Sequence, residues 1–232
     1  MTTAFCAGCH MTLIVICDDF KNICSKVFHF STKMPNFAAM YQITHHVATI
    51  DATQYVKQYR DIPHFLAYCR QCDSYGRVWS CPPFDGDTHA MTDGFTQVTV
   101  WGTVINFDLA TRQACTTDEQ CRHTSMQAID DAWSVVLPFL HRQEAAHAGS
   151  RAFTGWCRLC RPQECSRIEG KPCRQPEKMR SSLEAVGFDV TATARDVLGI
   201  ELQWSTDGQL PERITLVTAL FSHDRFDPPL PQ

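Results

Sequence analysis

Thr96-Gln-Val-Thr-Val-Trp101-Gly-Thr-Val-Ile-Asn-Phe107 is rich in β-branched and aromatic residues. Val98, Val100, Trp101, Val104 and Ile105 follow one another with few polar breaks, which predicts a central strand. Working outward, Tyr41 to Ile50 reads as another strand, with Ile43, Val47 and Ile50 apolar. His45 and His46 lie on it as neighbours. Adjacent strand residues point to opposite faces, so no shared metal role is expected of them. Asp51 is placed to cap a short helix reaching about Arg60, with Val56 and Tyr59 inward and Pro63 as its breaker.

Downstream, the longest helical pattern runs from Ser125 to His147. Met126, Ile129, Trp133, Val136 and Leu140 recur at steps of three and four and give an apolar stripe for the sheet. Pro138 should kink this helix and Gly149 should end it. Asp130, Asp131 and His141 read as its wet face. A short strand is expected over Arg151 to Trp156. A helix is expected after Pro176, on Met179, Leu183 and Val186, with Gly187 as its stop. Asp189 to Gly199 suggests a turn and a helix carrying Val190, Ala194 and Val197. Glu201 to Trp204 and Ile214 to Phe221 read as strands of a closing hairpin through the Asp207-Gly208 turn.

These elements predict an α/β (or α+β) fold in a single domain over 39–224, a mixed β-sheet with packed helices. Two cysteine-rich metal-binding loops should converge at one edge. Residues 1–38 hold Cys6, Cys9, Cys17 and Cys24 without a sustained period and are expected to be a poorly ordered N-terminal extension. Met34 and Met40 offer later start sites for it. Residues 225–232 are expected to form a loose C-terminal tail.

The chain has 232 residues, 44% hydrophobic and 20% charged, with a net charge of −4. This is an ordinary globular balance, without the basic field that would favour nucleic acid or an anionic membrane. Thirteen cysteines, an odd count with C-x2-C pairs, argue against a secreted disulfide scaffold and for metal ligation in a reducing compartment. Leu13-Ile-Val-Ile-Cys17 is too short for a signal peptide core, and no run approaches the ~20 apolar residues of a membrane span. The cytoplasm is the expected location.

Two segments carry the chemistry. Cys69-Arg-Gln-Cys72-Asp-Ser-Tyr-Gly76-Arg-Val-Trp79-Ser-Cys81-Pro82-Pro83 is C-x2-C-x8-C. Gly76 allows a tight turn between the thiols, and the two prolines stiffen the exit. Tyr75 and Trp79 are placed to cover a metal group and exclude water. Cys157-Arg-Leu-Cys160-Arg-Pro-Gln-Glu-Cys165-Ser-Arg-Ile-Glu-Gly-Lys-Pro-Cys173-Arg-Gln-Pro176 is C-x2-C-x4-C-x7-C. Four thiolates saturate either one tetrahedral zinc or the four irons of a cubane, leaving a net charge of about −2. Arg158, Arg161, Arg167, Lys171 and Arg174, against Glu164 and Glu169, would offset it. Arg158 and Arg174 are the candidate cofactor-binding cations. A helix starting at Pro176 would add its positive end.

Cys115 and Cys121 are spaced C-x5-C, which fits no common site, and read as incidental thiols on a surface loop beside solvated Asp118 and Glu119. Glu184 and Asp189 are accounted for by a cap, turn or salt bridge. The sequence contains no G-x-S-x-G, H-E-x-x-H, G-x-G-x-x-G or Walker-type loop, which sets aside hydrolase, nicotinamide and P-loop chemistry.

Cys69 to Phe84 and Cys157 to Val190 together resemble the metal-binding family known as domain of unknown function 2284. The first string is C-x2-C-x2-Tyr-Gly-x2-Trp-Ser-Cys-Pro-Pro-Phe. The second runs from C-x2-C-x4-C-x7-C-Arg-x-Pro through Ser-x-Glu-Ala-x-Gly-x-Asp-Val. The likeness spans about Met40 to Ser222. It implies a cytoplasmic prokaryotic protein binding metal through Cys69, Cys72, Cys81, Cys157, Cys160, Cys165 and Cys173, as iron–sulfur, and it leaves activity open. On ligand count, an iron–sulfur cluster of the 4Fe-4S kind with a redox or electron-transfer role is preferred. Zinc as a structural metal, or a metal sensor or carrier, is the alternative. The expected partner is a redox protein, with no nucleic acid and no membrane. Neither enzymatic activity nor oligomeric state is fixed by these residues.

Overall fold

The computed structural model describes residues 2–5, 12–18, 23–29, 40–205 and 209–232. One sheet organises them, made of β1 (Thr2–Phe5), β2 (Thr12–Asp18), β3 (Ile23–His29), β4 (Tyr41–Asp51), β5 (Gln97–Phe107), β6 (Arg151–Phe153) and β7 (Arg213–Ser222). Their order is β1-β2-β3-β4-β5-β7-β6. The helices are α1 (Ala52–Tyr59), α2 (Ile62–Cys69), α3 (Leu109–Ala114), α4 (Asp118–Ala146) and α5 (Val190–Leu198).

β5 is the central strand that its composition predicts. It is buried along nearly its whole length because both faces are covered. Val98, Val100 and Val104 face a core shared with Tyr55 of α1 and with Ala194, Val197 and Leu198 of α5. Trp101 packs against Val136, Phe139 and Leu140 of α4 on the other face. Alternate residues pointing to opposite faces produce this three-layer arrangement.

One domain with a sheet and packed helices is what the sequence predicts, but all strand pairs among the described residues are antiparallel rather than mixed. The reason lies in the connections. Asp51, the last residue of β4, stands opposite Gln97, the first of β5. The chain from α1 through the first cysteine segment is therefore an excursion from one sheet end, not a crossover. β1 to β3 extend the sheet beyond β4 where a poorly ordered extension is expected from sequence, with Cys17 opposite Cys24 in register. Cys6 and Cys9 lie outside the described residues.

Other expectations are corrected. Pro63 does not end the helical region; it sits in the first turn of α2, where a missing N–H is harmless. The helix carrying the long stripe starts earlier, at Asp118, on a Thr117–Gln120 capping box. Cys121 thus lies buried in its first turn rather than on a loop, and Asp118 and Glu119 complement the helix dipole. Pro138 lies inside the continuous helix.

The helix expected over 176–187 does not form. The segment is a chain of turns with one 3-10 turn at Glu184–Val186. Its backbone bonds reach across the fold instead: Thr154 N–H donates to Ser181 O, and Asp61 N–H to Gly187 O. Residues 201–205 are not a strand, and Asp207-Gly208 lies outside the described residues, so β7 pairs with β5 and β6 rather than closing a hairpin. The C-terminal segment is docked rather than loose. The indole N–H of Trp101 donates to Pro229 O at 2.8 Å, and Phe226 stacks on His147 with ring centroids 3.8 Å apart.

Candidate metal centre

The first cysteine loop grows from a locked corner. Arg60 bridges to Phe188, and its Nε donates to Val186 O at 3.0 Å. Gly187 has φ +95°, and a Cβ there would stand 2.8 Å from Ile62 Cα, so only glycine permits this approach. α2 is thereby fixed against the Glu184–Val186 turn, with Cys69 as its last residue. Successive turns follow: Cys72 N–H to Cys69 O, Tyr75 N–H to Cys72 O, and Cys81 N–H to Val78 O. Gly76, at φ +67°, closes the loop by donating to Pro82 O at 2.8 Å.

The second loop is braced from within. Ser166 Oγ donates to Pro172 O at 2.7 Å, Arg174 Nη1 to Glu164 O at 2.6 Å, and Gln175 Nε2 to Leu159 O at 2.7 Å. Cys157, Cys160, Cys165 and Cys173 line one cleft of about 310 Å³, with Trp156 on its own side and Arg77 and Trp79 of the first loop across it.

Arg167 joins the loops. It donates to Val78 O at 2.9 Å, Cys81 O at 2.6 Å and Pro83 O at 2.5 Å, and its guanidinium lies 4.9 Å from the Trp79 ring centroid. The Trp79 indole answers by donating to Lys171 O at 3.0 Å. Sequence reasoning counts Arg167 only among the compensating cations. An arginine whose acceptors are backbone carbonyls leaves no pattern in side-chain identity.

The thiols feel one another. Burial first, then the charges of Cys72, Cys69 and Cys157, push Cys81 up to about 11, against a Ser80 hydrogen bond that lowers it. Burial also raises Cys69, followed by Glu184 and Cys72. Cys157 is raised by burial, then by Cys160, Cys173 and Cys165, while the Leu159 backbone opposes the shift. The two groups thus touch electrostatically through Cys81 and Cys157. Without a cation these three thiols hold their protons more tightly than free cysteine does.

The two predicted cofactor cations differ. Arg174 is spent on the Glu164 carbonyl. Arg158 lines the cleft, pairs with Asp130 of α4 and lies 5.7 Å from the Trp156 ring centroid, yet its Nε and Nη1 are buried without an acceptor. Asp130 lies on the exposed face of α4, as the sequence predicts, and from there also anchors the second loop through Arg158.

The histidine pair stays apart from the thiols. His45 bonds Thr103 Oγ1 at 2.9 Å and is pushed down to about 4 by burial and the neighbouring His46. Cys115 and Cys121 make their contacts between α3 and α4: Cys115 Sγ with Thr124 Oγ1, and Cys121 Sγ with Cys115 O. Among the described residues, no three His, Cys, Asp or Glu side chains stand close enough to hold a single ion. No described helix is long and apolar enough to cross a membrane.

No curated protein and no solved structure was found to match the chain. Residues 53–221 match the profile of DUF2284, described as a predicted metal-binding protein, and so include both cysteine loops and the Arg167 clamp between them. The chain belongs to that family.

Proposed function

We propose that this chain is an iron–sulfur protein with a redox or electron-transfer role. Cys157, Cys160, Cys165 and Cys173 would hold one cluster, of the 4Fe-4S kind, and Cys69, Cys72 and Cys81 a second. The observation that carries the reading is the gathering of four thiols around one cleft with a thiol trio beside it. A single zinc needs its sulfurs about 3.8 Å apart, from tetrahedral bonds of about 2.3 Å. The ligands of a cubane sit on different irons and are spread more widely. Seven thiols in two groups exceed the four that one zinc takes, and this ligand count supports the second arrangement.

When bound, such clusters supply one-electron chemistry. The protein's own part is to position and shield. Trp79 and Trp156 flank the cleft, and the buried donors of Arg158 face the deficit that a site of net negative charge would answer. Arg158 is accordingly proposed as the cofactor-binding cation, and Arg174 as a brace of the ligand loop.

Anaerobic purification, an absorption spectrum and analysis of iron, sulfide and zinc test this. Iron matched by sulfide, with a broad band near ~400 nm, is expected. A colourless protein with stoichiometric zinc would overturn it in favour of a structural site.

A further inference from the structure

We infer that a cavity beside Cys157, walled by Arg158, Lys178 and Arg180, binds a small oxyanion of the size of sulfate or nitrate. The site stands on the chain's own cations; only its nearness to a cluster rests on the reading above.

This cavity, of about 40 Å³, adjoins the cysteine cleft and shares Trp156, Cys157 and Arg158 with it. At about 10–15 Å³ for one water it has room for about three, the bulk of an anion of about four or five heavy atoms. A nucleotide or a peptide is far too large. The charged side chains that line it are all basic: Arg158, Lys178 and Arg180, with no acid among them. Trp133 and Trp156 supply apolar sides, and charges attract more strongly between such walls than in open water.

The three cations differ in what they have left to give. Arg180 is spent: its Nε meets both Glu144 oxygens at 2.8 Å, and its Nη1 donates to the Glu177 and Met179 carbonyls. Arg158 is not. Its side chain is 10% exposed and pairs with Asp130, yet its Nε and Nη1 are buried without an acceptor. A buried donor left unmet is costly, and a guanidinium fork matches the oxygens of an oxyanion. Lys178 is exposed, and among the described residues its ammonium has no acid or acceptor. A buried fork and an unpaired cation on one small cavity are deficits that a single anion meets.

The walls are held by the fold itself. Gly155 passes so close to Trp133 that a Cβ there would stand 2.8 Å from the indole Cζ2. Thr154 N–H donates to Ser181 O at 2.9 Å and Thr154 Oγ1 to Arg180 O at 3.4 Å, which ties the Arg180 side to the exit of β6. Donors fixed in advance lose less freedom on binding. On the cluster reading the anion lies against a cluster ligand, so its charge opposes the added charge of reduction.

The full chain, purified anaerobically and exchanged into a low-salt buffer free of oxyanions, is titrated calorimetrically with sodium sulfate and sodium nitrate. Sodium chloride is the control. One saturable oxyanion site per chain is expected, unmatched by chloride. Lys178→Met and Arg158→Met should each weaken it about tenfold or more. Lys57→Met, exposed on α1, should leave it unchanged. No saturable binding, binding matched by chloride, or equal weakening by Lys178→Met and Lys57→Met would overturn the site. Should Arg158→Met fail to fold, the exposed Lys178 decides alone. Saturating sulfate should also lower the midpoint potential of the loaded protein, and an unchanged potential with sulfate bound would overturn the placement beside Cys157. Oxyanion binding to a chain that carries no iron would uphold the site and sink the cluster reading; a cluster without oxyanion binding would do the reverse.

Discussion

The two cysteine loops differ in what holds them. The second, Cys157 to Cys173, is tied by its own residues: Ser166 to Pro172, Arg174 to Glu164, and Gln175 to Leu159. The first, Cys69 to Cys81, has local turns but takes its strongest side-chain bonds from the second, through three Arg167 donors and the Trp79 indole. Its thiols also carry the largest shift, at Cys81. The first loop thus leans on the second more than the second leans on it. A self-braced site can form first and offer the surface on which the other closes.

The largest expected effect comes from breaking the self-braced loop. Cys157→Ser or Cys173→Ser should abolish metal binding there and lower the melting temperature, since site formation is coupled to folding. Through Arg167, occupancy of the first loop should fall too. Full metal content and unchanged melting in both variants would contradict the scheme.

Arg167→Ala attacks the dependence directly. It should release the first loop with a stability loss of about 3 kcal/mol, the size of one or two charge-assisted bonds, and leave the second loop's metal in place. Arg167→Lys should not rescue it, because an ammonium cannot fork across three carbonyls. Metal analysis of the two variants beside urea unfolding separates the outcomes. Loss of both metals together would make the loops a single unit.

pH sharpens the comparison. Cys81 is raised from 9.0 to about 11 in the metal-free fold. A folded pKa above the unfolded one contributes stability that is complete below pH ~9 and is lost as pH rises through the folded value. Metal-free protein should therefore weaken at alkaline pH. The loaded protein should instead weaken on acidification, because its ligands must stay deprotonated. Melting curves of both forms from pH 5 to 11 check the opposite slopes, and Cys81→Ser should flatten the alkaline fall.

The smallest effect is expected outside both loops. Cys115→Ser can keep a hydrogen bond to Thr124 and should change stability by no more than about 0.5 kcal/mol, with metal content unaltered. Metal loss there would show that the ligand set extends beyond the loops.

The parts legible in sequence are those specified by residue type over short range. β5 is visible in its β-branched run, the Asp51 and Asp189 caps in their side chains, and the ligand candidates in thiol spacing. The failures share a cause: the deciding partner is remote. Met179, Leu183 and Val186 have helical spacing, but the backbone around them bonds to Thr154 and Asp61, and Leu183 and Val186 are buried from a 3-10 turn instead. Glu201 to Trp204 lost its strand because β5 and β6 occupy both sides of β7. Arg167 looks like a solvent-facing charge until the fold supplies the three carbonyls, and exposed Asp130 shows no partner in sequence until the fold brings Arg158 to it.

The clamp also orders events during synthesis. Its bonds join residues 84 to 92 positions apart in the chain. At roughly 5–20 residues per second, a ribosome needs about 5 to 18 s to travel from Trp79 to Lys171. Throughout that interval Cys69, Cys72 and Cys81 have been made and their cover has not. Whatever delivers metal to the trio meets a nascent chain whose thiols are open to oxidants, and permanent closure waits for the last quarter of translation.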